Sequence, residues 1–153
     1  MGKKLSEVDR AYIAGFLDAD GAIMATIERH QEKRFGFRVR VELKISQSNR
    51  SILDWLYKKT AVGYIRRNRT THDWVVRDQL IVKHMINILR PYLKAKRTQA
   101  SQALKILESK INSKKDLLSV ARSADALSRL NVRSKNRRKN YATMIEDTIS
   151  RND

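Results

Sequence analysis

The sequence predicts an α+β fold in which one antiparallel β-sheet is covered by helices. Each of two predicted strand pairs is preceded by a helix, and the last third of the chain shows helical patterns only. The strongest strand signal is 37–46, where Phe37, Val39 and each second residue after them are apolar and alternate with polar residues. The 153 residues suit a single domain spanning 1–153.

The first helix is predicted from Glu7 to Asp20, with Ser6 as its N-cap and Asp9 at the capping-box position. Gly21 fits a left-handed C-cap at its end. The apolar residues that we assign to the core side of this helix are Val8, Tyr12, Ile13, Phe16 and Leu17.

The remaining elements follow from alternation, helical periodicity and turn residues. Strands are predicted at 22–30, 37–46, 63–69 and 73–77, with "TTH" at 70–72 joining the last two. Helices are predicted at 50–59, 79–89, 96–111, 114–130 and 140–149. The resulting order is αββαββα followed by C-terminal helices.

The charge of the chain indicates a polyanionic partner. Lys and Arg number 33 against 16 Asp and Glu, which gives a formal net charge of +17. DNA or RNA is the first candidate, because neutralising phosphates releases counterions. We expect no membrane partner, since no amphipathic anchor or apolar run of spanning length is found. The absence of cysteine excludes disulfides, thiolate metal sites and cysteine nucleophiles.

Two features of the first helix run against ordinary helix chemistry. Gly15 in the helix interior costs about 1 kcal/mol relative to Ala. Asp18 and Asp20 lie in the last turn, where the helix dipole disfavours each carboxylate by about 0.3–1 kcal/mol. A divalent cation would reverse that penalty, and Mg²⁺ prefers hard oxygen ligands. The alternative is a solvated turn, which Asp and Gly also favour.

Small residues form one side of the same helix. Ala11, Ala14, Gly15 and Asp18 lie near one another at helical spacing, so another backbone can approach closely. The approaching backbone belongs either to a neighbour in the same fold or to a second copy of the helix.

Other families that use a DxDG pattern fit less well. An EF-hand loop needs Glu at its twelfth position, where this chain has Arg29. Haloacid-dehalogenase phosphatases carry a threonine after DxDG, where this chain has Ala22, and a charge of +17 is unusual for an enzyme acting on small phosphates.

The segment "IAGFLDADG", residues 13–21, resembles the signature of the LAGLIDADG homing endonucleases. Ile13, Phe16 and Leu17 differ from the signature, each as one apolar residue for another. Further segments occur in the order found in small single-motif members, similar to algal chloroplast group I intron-encoded enzymes: "KISQSN", "VGYIRRNR", "PYLKAKRTQA" and "LNVRSKNRRK".

This resemblance implies a homodimer formed through the motif helix, with Ala11, Ala14, Gly15 and Asp18 at the interface. It also implies that each sheet forms half of a saddle in the DNA major groove. A strand of nine residues at about 3.3 Å per residue spans roughly nine base pairs. Two copies then predict a pseudo-palindromic target of about twenty base pairs.

The resemblance also implies the cleavage chemistry. Asp20 is the essential metal ligand, with the carbonyl of Ala19 as a second contact. The metal is Mg²⁺, and Mn²⁺ or Ca²⁺ fit the same site. Gln47 orients water around the nucleophile, and Lys96 supports the charge of the transition state. Asp18 takes a structural role near the helix end.

One position departs from the pattern of close relatives, which often have an arginine four residues after this glutamine. Here that residue is Ser51, and the arginine is Arg50. Either Arg50 substitutes through a small change in register, or the water network differs.

The strand faces supply the predicted DNA contacts. Arg can read guanine, Asn can read adenine, and the carboxylates Glu28, Glu42 and Asp73 can accept from cytosine N4. The alternative is a solvated face of alternating charge. The predicted base-reading residues are Met24, Thr26, Glu28, His30, Arg38, Arg40, Glu42, Lys44, Arg66, Asn68, Asp73 and Val75.

The basic segment at about 132–140 contains "RSKNRRK". A bare charge run is usually solvated, but the resemblance places this one near DNA phosphates. The predicted phosphate contacts are Lys135, Arg137, Arg138 and Lys139.

These observations predict a Mg²⁺-dependent homing endonuclease that makes a double-strand break in a long DNA site. The alternatives are a maturase that binds intron RNA and a DNA-binding protein that does not cut. Keeping Asp20, Gln47 and Lys96 together favours cleavage, because RNA binding alone does not need that trio. The expected location is intracellular: a chloroplast, a mitochondrion or a prokaryotic cytoplasm.

Overall fold

The computed structural model describes residues 4–132 and 134–153, and of Lys135 only the backbone. Within this part of the chain there are six α-helices, four strands and short 3₁₀ turns at Arg90–Tyr92 and Lys135–Arg137. The strands are β1 (Gly21–Arg29), β2 (Phe37–Gln47), β3 (Tyr64–Asn68) and β4 (Thr71–Val76). The helices are α1 (Glu7–Asp20), α2 (Arg50–Thr60), α3 (Gln79–Leu89), α4 (Arg97–Glu108), α5 (Lys114–Asn131) and α6 (Tyr141–Asn152).

The strands form one antiparallel sheet in the order β1-β2-β4-β3. One face carries the alternating apolar residues, among them Ile23, Val41, Ile45 and Trp74, and all four are buried. Helices α1 to α5 pack against strands of this sheet, and α6 packs on α5. The predicted α+β fold is therefore correct, and the polar face of the sheet is left open.

Most element bounds agree with the prediction, and the differences lie at turns. The second hairpin turns at Arg69 and Thr70 instead of 70–72, because Arg69 adopts a left-handed backbone with φ 55°. The helix predicted to reach residue 111 ends at Glu108. There the Ser109 hydroxyl and amide donate back to the carbonyls of Lys105 and Ile106 and close the last turn.

The junction between α1 and β1 corrects the role predicted for Gly21. Ser6 caps the helix start as predicted, accepting from the amide of Asp9 at 3.1 Å. Gly21, however, has φ −107° and ψ 176°, which is extended backbone and no left-handed cap. A Cβ on Gly21 would lie 2.5 Å from Leu17 Cδ1 and 2.8 Å from the Leu17 carbonyl oxygen. Glycine is needed there because the strand begins directly against the last helical turn.

The C-terminal helices are tied to the sheet by buried polar groups. Asp125 on α5 accepts from the amides of Tyr141 at 2.6 Å and Ala142 at 3.1 Å, and so caps the start of α6. The Asn131 side chain donates to the Ile23 carbonyl of β1 at 2.7 Å. These bonds hold the two ends of the basic segment, near 132 and 140, at fixed places.

No helix in the described ranges is both long and apolar enough to cross a membrane.

We expect Gly21→Ala to lower the free energy of unfolding by about 1–3 kcal/mol, because the added methyl group forces Leu17 and its carbonyl to move. Urea denaturation followed by circular dichroism measures this loss. A loss below about 0.5 kcal/mol, within the range of an ordinary surface change, would contradict the close contact.

Candidate active site and nucleic-acid interface

The candidate cleavage site begins where α1 ends. Asp20 is exposed at the last position of the helix. The side-chain amide of Gln47, the last residue of β2, donates to Asp20 Oδ2 at 2.6 Å. The β1–β2 register causes this meeting, since Gly21 lies opposite Ile45 and the strand needs two further residues to reach Gln47. The structure thus brings together two of the three predicted catalytic residues.

Asp18 brings the third residue, Lys96, to the same place. Its carboxylate accepts from the backbone amides of Lys94 at 2.7 Å, Ala95 at 3.2 Å and Lys96 at 2.9 Å. Lys96 Nζ in turn donates to the Asp18 carbonyl at 2.6 Å. The carboxylate of Asp18 is therefore engaged inside its own chain, which agrees with the structural role predicted for it; its place at a dimer interface stays a prediction.

The donor set fits part of a magnesium site. No group of three or more His, Asp or Glu side chains able to hold a metal occurs in the described residues. Asp20 and Ala19 are exposed, and they offer a carboxylate and a carbonyl oxygen, the hard ligands that Mg²⁺ accepts. Mg²⁺ usually binds one or two carboxylates together with waters and substrate phosphates. One chain therefore supplies a share of such a site.

The exposed side of α1 differs from the predicted one. Ala14 is fully buried in its own core, so it cannot contact a second copy, and this part of the predicted interface is wrong. Val8 and Tyr12, which we assigned to the core side, are 78% and 50% exposed. They line up with the exposed Ala11 and Gly15. We call Val8, Ala11, Tyr12 and Gly15 the α1 stripe.

Nothing in the described part of the chain requires a glycine at position 15. A Cβ built on Gly15 meets no atom within 4 Å outside its own helix. Close packing on a neighbour in the same fold, one of the two explanations given by the sequence, is therefore excluded for this residue within the described chain. The remaining explanation is an approach by another molecule.

The predicted base-reading residues within the strands share one face of the sheet, as the register requires. Antiparallel partners present their side chains on the same side. Partner pairs on this open face are Met24 with Glu42, Thr26 with Arg40, Glu28 with Arg38, Lys44 with Val75 and Arg66 with Asp73; Asn68 lies opposite Thr71, and His30 follows the end of β1.

The carboxylates of this face bind arginines of the same chain. Glu28 accepts from Arg38 Nε at 2.8 Å and from its Nη2, and the Arg38 bond lowers the pKa of Glu28. Arg40 lies 3.6 Å from the same oxygen. Glu42 is buried and accepts from Arg77 Nε at 2.5 Å. Both carboxylates therefore fix the direction of arginine side chains.

Asp73 shows this role most completely. It is fully buried and accepts from Ser46 Oγ at 2.6 Å, Asn68 Nδ2 at 3.1 Å and Arg66 Nε at 3.3 Å. Burial by itself raises the pKa of Asp73, but the bonds from Ser46, Arg66 and Asn68 and the charge of Lys44 outweigh burial and lower it. Asp73 is thus an ionised anchor for two candidate base readers.

These burials correct three predicted base contacts. Asp73 and Val75 are fully buried and Glu42 is 7% exposed, so none of them presents a surface to a base. The alternation identified the face but not the cross-strand partners that cover these residues. The sequence analysis also missed Arg77, which continues the same face after Val75. Its guanidinium carbon lies over the ring of Tyr64, 5.9 Å from the ring centroid. Extending the alternation by two residues would have found it.

The basic segment is partly folded back on the protein. Arg138 Nε donates to the Val132 carbonyl at 2.9 Å, and the Lys139 amide donates to Ser128 Oγ at 2.9 Å. The side chains of Arg137 and Lys139 are exposed. Two residues of the predicted basic run, Arg133 and the Lys135 side chain, lie outside the described residues.

Helix α2, which follows Gln47, contains Ser51 at the position where close relatives often have an arginine. Asn49 caps α2 by accepting from the Ser51 amide at 3.0 Å and its hydroxyl at 2.7 Å. Arg50 Nε lies 3.3 Å from Asp54 on the same helix. In this structure Arg50 is therefore paired along α2, and Ser51 completes the helix cap.

Comparison with known proteins settles the family. The family model described as LAGLIDADG endonuclease matches residues 13–107, which include the end of α1, the whole sheet and Lys96. The chain belongs to the LAGLIDADG endonuclease family. This confirms the resemblance found in the motif.

Two curated relatives of the chain are named as DNA endonucleases. DNA endonuclease I-CreI of Chlamydomonas reinhardtii is 32% identical over 110 residues, 71% of this chain and 68% of the relative. DNA endonuclease I-CvuI of Chlorella vulgaris is 35% identical over 107 residues, 68% of this chain and 66% of the relative.

Solved structures agree with the fold. I-CvuI in complex with its target in the presence of 2 mM Ca gives a TM-score of 0.83 at 30% identity, covering 94% of each chain. The archaeal intron-encoded homing endonuclease I-Vdi141I, complexed with DNA, gives 0.80 at 21% identity, covering 95% of this chain and 96% of the other. The second likeness concerns the fold alone.

We expect Asp73→Asn to lower the free energy of unfolding at neutral pH by about 1.5–3 kcal/mol, because charged hydrogen bonds to a buried group are lost. The matched control is Asp54→Asn: Asp54 also lies 3.3 Å from an arginine Nε, but it is exposed. It should cost about 0–1 kcal/mol. Denaturant titration measures both variants.

The pH dependence gives this prediction a second readout. Because the pKa of Asp73 is lowered on folding from its ordinary value of 3.8, its stabilisation is present above that value and is lost as pH falls through the lower folded pKa. The gap between wild type and Asp73→Asn should therefore narrow below pH 3.8. A gap that stays constant from neutral to acid pH would show that Asp73 is not an ionised anchor.

Proposed function

We propose that this protein is a site-specific homing endonuclease that makes a double-strand break in DNA by metal-dependent hydrolysis of phosphodiesters. The observation that carries the proposal is the meeting of Asp20 with Gln47 at 2.6 Å beside Lys96 at the end of the motif helix. Membership of the family and relatives named as DNA endonucleases support it.

The working enzyme is a homodimer joined through the α1 stripe. A glycine with open space around it, flanked by exposed Val8 and Tyr12, suits close packing of two identical helices across a two-fold axis. Tyr12 is held for such a contact by Phe16, at 6.2 Å between ring centroids, and by Trp55 at 5.1 Å. The same arrangement brings two Asp20 carboxylates together.

The residues at the end of α1 divide the cleavage work. Asp20 and the Ala19 carbonyl would hold Mg²⁺, which when bound polarises the phosphate and activates water. Gln47 donates to the Asp20 carboxylate and so fixes its orientation, and its amide can also orient water. Lys96 holds a positive charge beside Asp18, near where negative charge develops during hydrolysis. Mn²⁺ and Ca²⁺ take oxygen ligands as well and would compete for these groups.

The open face of the sheet reads the DNA. Arg38, Arg40 and Arg66 are directed by carboxylates of their own chain, which reduces the entropy lost when they bind bases. Met24, Thr26 and Lys44 lie on the same face. Each copy carries a strand long enough to span about nine base pairs. Because the two copies are identical, the target is pseudo-palindromic and about twenty base pairs long.

The alternative functions lack a comparable observation. A maturase or a DNA-binding protein without cleavage activity needs a basic surface, but it does not need an exposed carboxylate held by Gln47 beside Lys96. The relatives reported above are named as DNA endonucleases, and their names mention no RNA.

The cleavage chemistry is tested by selection on randomised DNA with Mg²⁺. We expect the wild type to enrich one family of cut sequences, and Asp20→Asn to cut them at least about 100-fold more slowly while still binding. Asp147→Asn, on the exposed side of α6, is the matched control and should cut normally. Equal cutting by Asp20→Asn, or no enriched cut sequence, would refute the proposal.

The dimer is tested by Gly15→Leu. The change has free space within the chain but blocks close approach of a second helix, so we expect one protein chain per DNA site in place of two. Analytical ultracentrifugation of the DNA complex measures the ratio. Thr143→Leu, exposed on α6, should leave two chains per site. Two chains per site with Gly15→Leu would exclude this interface.

A further inference from the structure

A side-chain amide extends the pairing of β2 beyond the end of β4. β4 ends at Val76, yet the Val41 amide of β2 donates to Gln79 Oε1 at 2.8 Å, and Gln79 Nε2 donates to the Val41 carbonyl at 2.8 Å. Gln79 Nε2 also donates to the Arg77 carbonyl at 2.7 Å. The backbone of Arg77 is therefore fixed beside β2, although Arg77 lies outside the strand.

The Arg77 side chain is held on the open face of the sheet by Glu42. The β2–β4 register pairs Leu43 with Val76, so position 77 comes next to Glu42. Arg77 Nε donates to Glu42 Oε2 at 2.5 Å, and this bond raises the pKa of Arg77. The guanidinium carbon also lies 5.9 Å from the ring centroid of Tyr64 on β3. Contacts with two neighbouring strands thus fix the direction of this guanidinium.

The two terminal nitrogens of Arg77 remain available to a ligand. Within residues 4–132 and 134–153, Nε is the only nitrogen of this side chain that donates a hydrogen bond, and the side chain is 38% exposed. Arg38 differs, because both its Nε and its Nη2 donate to Glu28. Nη1 and Nη2 form the outer edge of the guanidinium, which can contact the O6 and N7 acceptors of guanine together.

Neutralising charge does not by itself account for the pair. Glu42 is buried and, in the described part of the chain, accepts a hydrogen bond from Arg77 alone. Burying a carboxylate costs desolvation energy, and two apolar side chains of similar volume often stabilise a protein as well as a buried ion pair does. A carboxylate at position 42 is therefore best explained by what it does to the direction of Arg77.

We propose that Arg77 is a further specificity-determining residue, which reads a guanine of the target in the major groove while Glu42 and Tyr64 position its guanidinium. The inference rests on the proposed function, because it takes the open face of the sheet as the DNA-binding surface. Arg66 is held in the same way, with its Nε 3.3 Å from the buried carboxylate of Asp73.

The sheet predicts where this guanine lies within each half-site. Asp73, the partner of Arg66, lies at the end of the sheet where Gln47 contacts Asp20. Arg77 follows four residues later, about 13 Å away at roughly 3.3 Å per residue. At about 3.4 Å per base pair, the guanine read by Arg77 should lie roughly four base pairs farther from the centre of the site than the base contacted by Arg66.

A binding selection on randomised DNA tests the assignment in the Asp20→Asn protein, where binding is measured without cutting. We expect a guanine to be enriched at this position of each half-site. The double variant Glu42→Leu with Arg77→Met removes one charge of each sign, so the attraction to phosphates stays nearly constant. It should lower the preference for guanine there about five- to hundredfold and leave the other positions unchanged. Thermal unfolding shows whether the double variant is folded.

The matched control makes the same two substitutions in an ion pair on the helix side of the sheet. Arg122 on α5 lies 3.3 Å from Glu146 on α6, and both side chains are exposed. Glu146→Leu with Arg122→Met should change the preference at no position. Matching preferences in the Glu42→Leu, Arg77→Met variant and its Asp20→Asn parent would overturn the inference.

A guanine analogue identifies the contacted atom and also probes the unaltered Arg77. 7-Deazaguanine lacks the N7 acceptor and is placed at each guanine of the selected site in turn. At the position assigned to Arg77 it should weaken binding by the Asp20→Asn protein about three- to tenfold and have no effect on the double variant, which lacks the donor. Equal losses for both proteins at every guanine would contradict the assignment.

Glu42→Gln tests whether the carboxylate positions the arginine. The variant keeps an acceptor opposite Arg77 but removes the charge that strengthens their hydrogen bond. The preference for guanine should therefore weaken, though less than in the double variant, while the other positions stay unchanged. An unchanged preference, or an equal loss of affinity for all sequences, would refute the positioning role of Glu42.

The failure of this inference is distinguishable from the failure of the proposed function. A guanine preference that depends on Arg77, in a protein that cuts no DNA with Asp20 intact, would support the inference and refute the endonuclease. Cutting with a preference that does not depend on Arg77 would refute the inference alone. A binding selection that enriches no DNA sequence would refute both.

Discussion

The carboxylate of Asp18 is the contact on which the geometry of the cleavage site depends. It accepts three consecutive backbone amides, those of Lys94, Ala95 and Lys96, just before α4 begins. These amides lie in a turn, where they would otherwise donate to water. A charged acceptor binds them more strongly than a neutral one. Lys96 Nζ also donates to the Asp18 carbonyl, so four hydrogen bonds from residues 94–96 to Asp18 hold the start of α4 against the end of α1.

These hydrogen bonds explain why the carboxylate of Asp18 is engaged within the chain while that of Asp20 is exposed. Asp18 is directed into its own chain, where its negative charge is balanced by amide dipoles and the Lys96 ammonium. Asp20, two residues later, lies on the other side of the last turn, stays exposed and is held by the Gln47 amide. The unfavourable position of carboxylates at a helix C-terminus is thus relieved at Asp18 by protein groups, and at Asp20 the proposed cation would relieve it.

Local sequence signals predicted the helices and strands, whereas contacts between residues distant in sequence determine which side of each element is buried. The bounds of α1 and α3 were predictable because Ser6 and Asp78 cap them through bonds within three residues. The same periodicity could not show which side of α1 faces the sheet, so buried Ala14 and exposed Val8 were exchanged. The Asp20–Gln47 pair spans 27 residues and was expected from the family pattern alone. Asp73 was misread because its partners come from two other strands, β2 and β3, and alternation carries no information about pairing.

The carboxylates on the open face of the sheet, like Asp18, are paired with groups of their own chain. In a chain of net charge +17, three carboxylates offset the repulsion among the arginines of this face: Glu28 pairs with Arg38 and Arg40, Glu42 with Arg77, and Asp73 with Arg66. The base contacts proposed for Arg66 and Asn68 would therefore be coupled to Asp73, because removing either donor leaves a buried carboxylate less satisfied. The proposed base recognition at β3 and β4 would then be a property of the network, and a new specificity there would require changes in the carboxylate and its donors together.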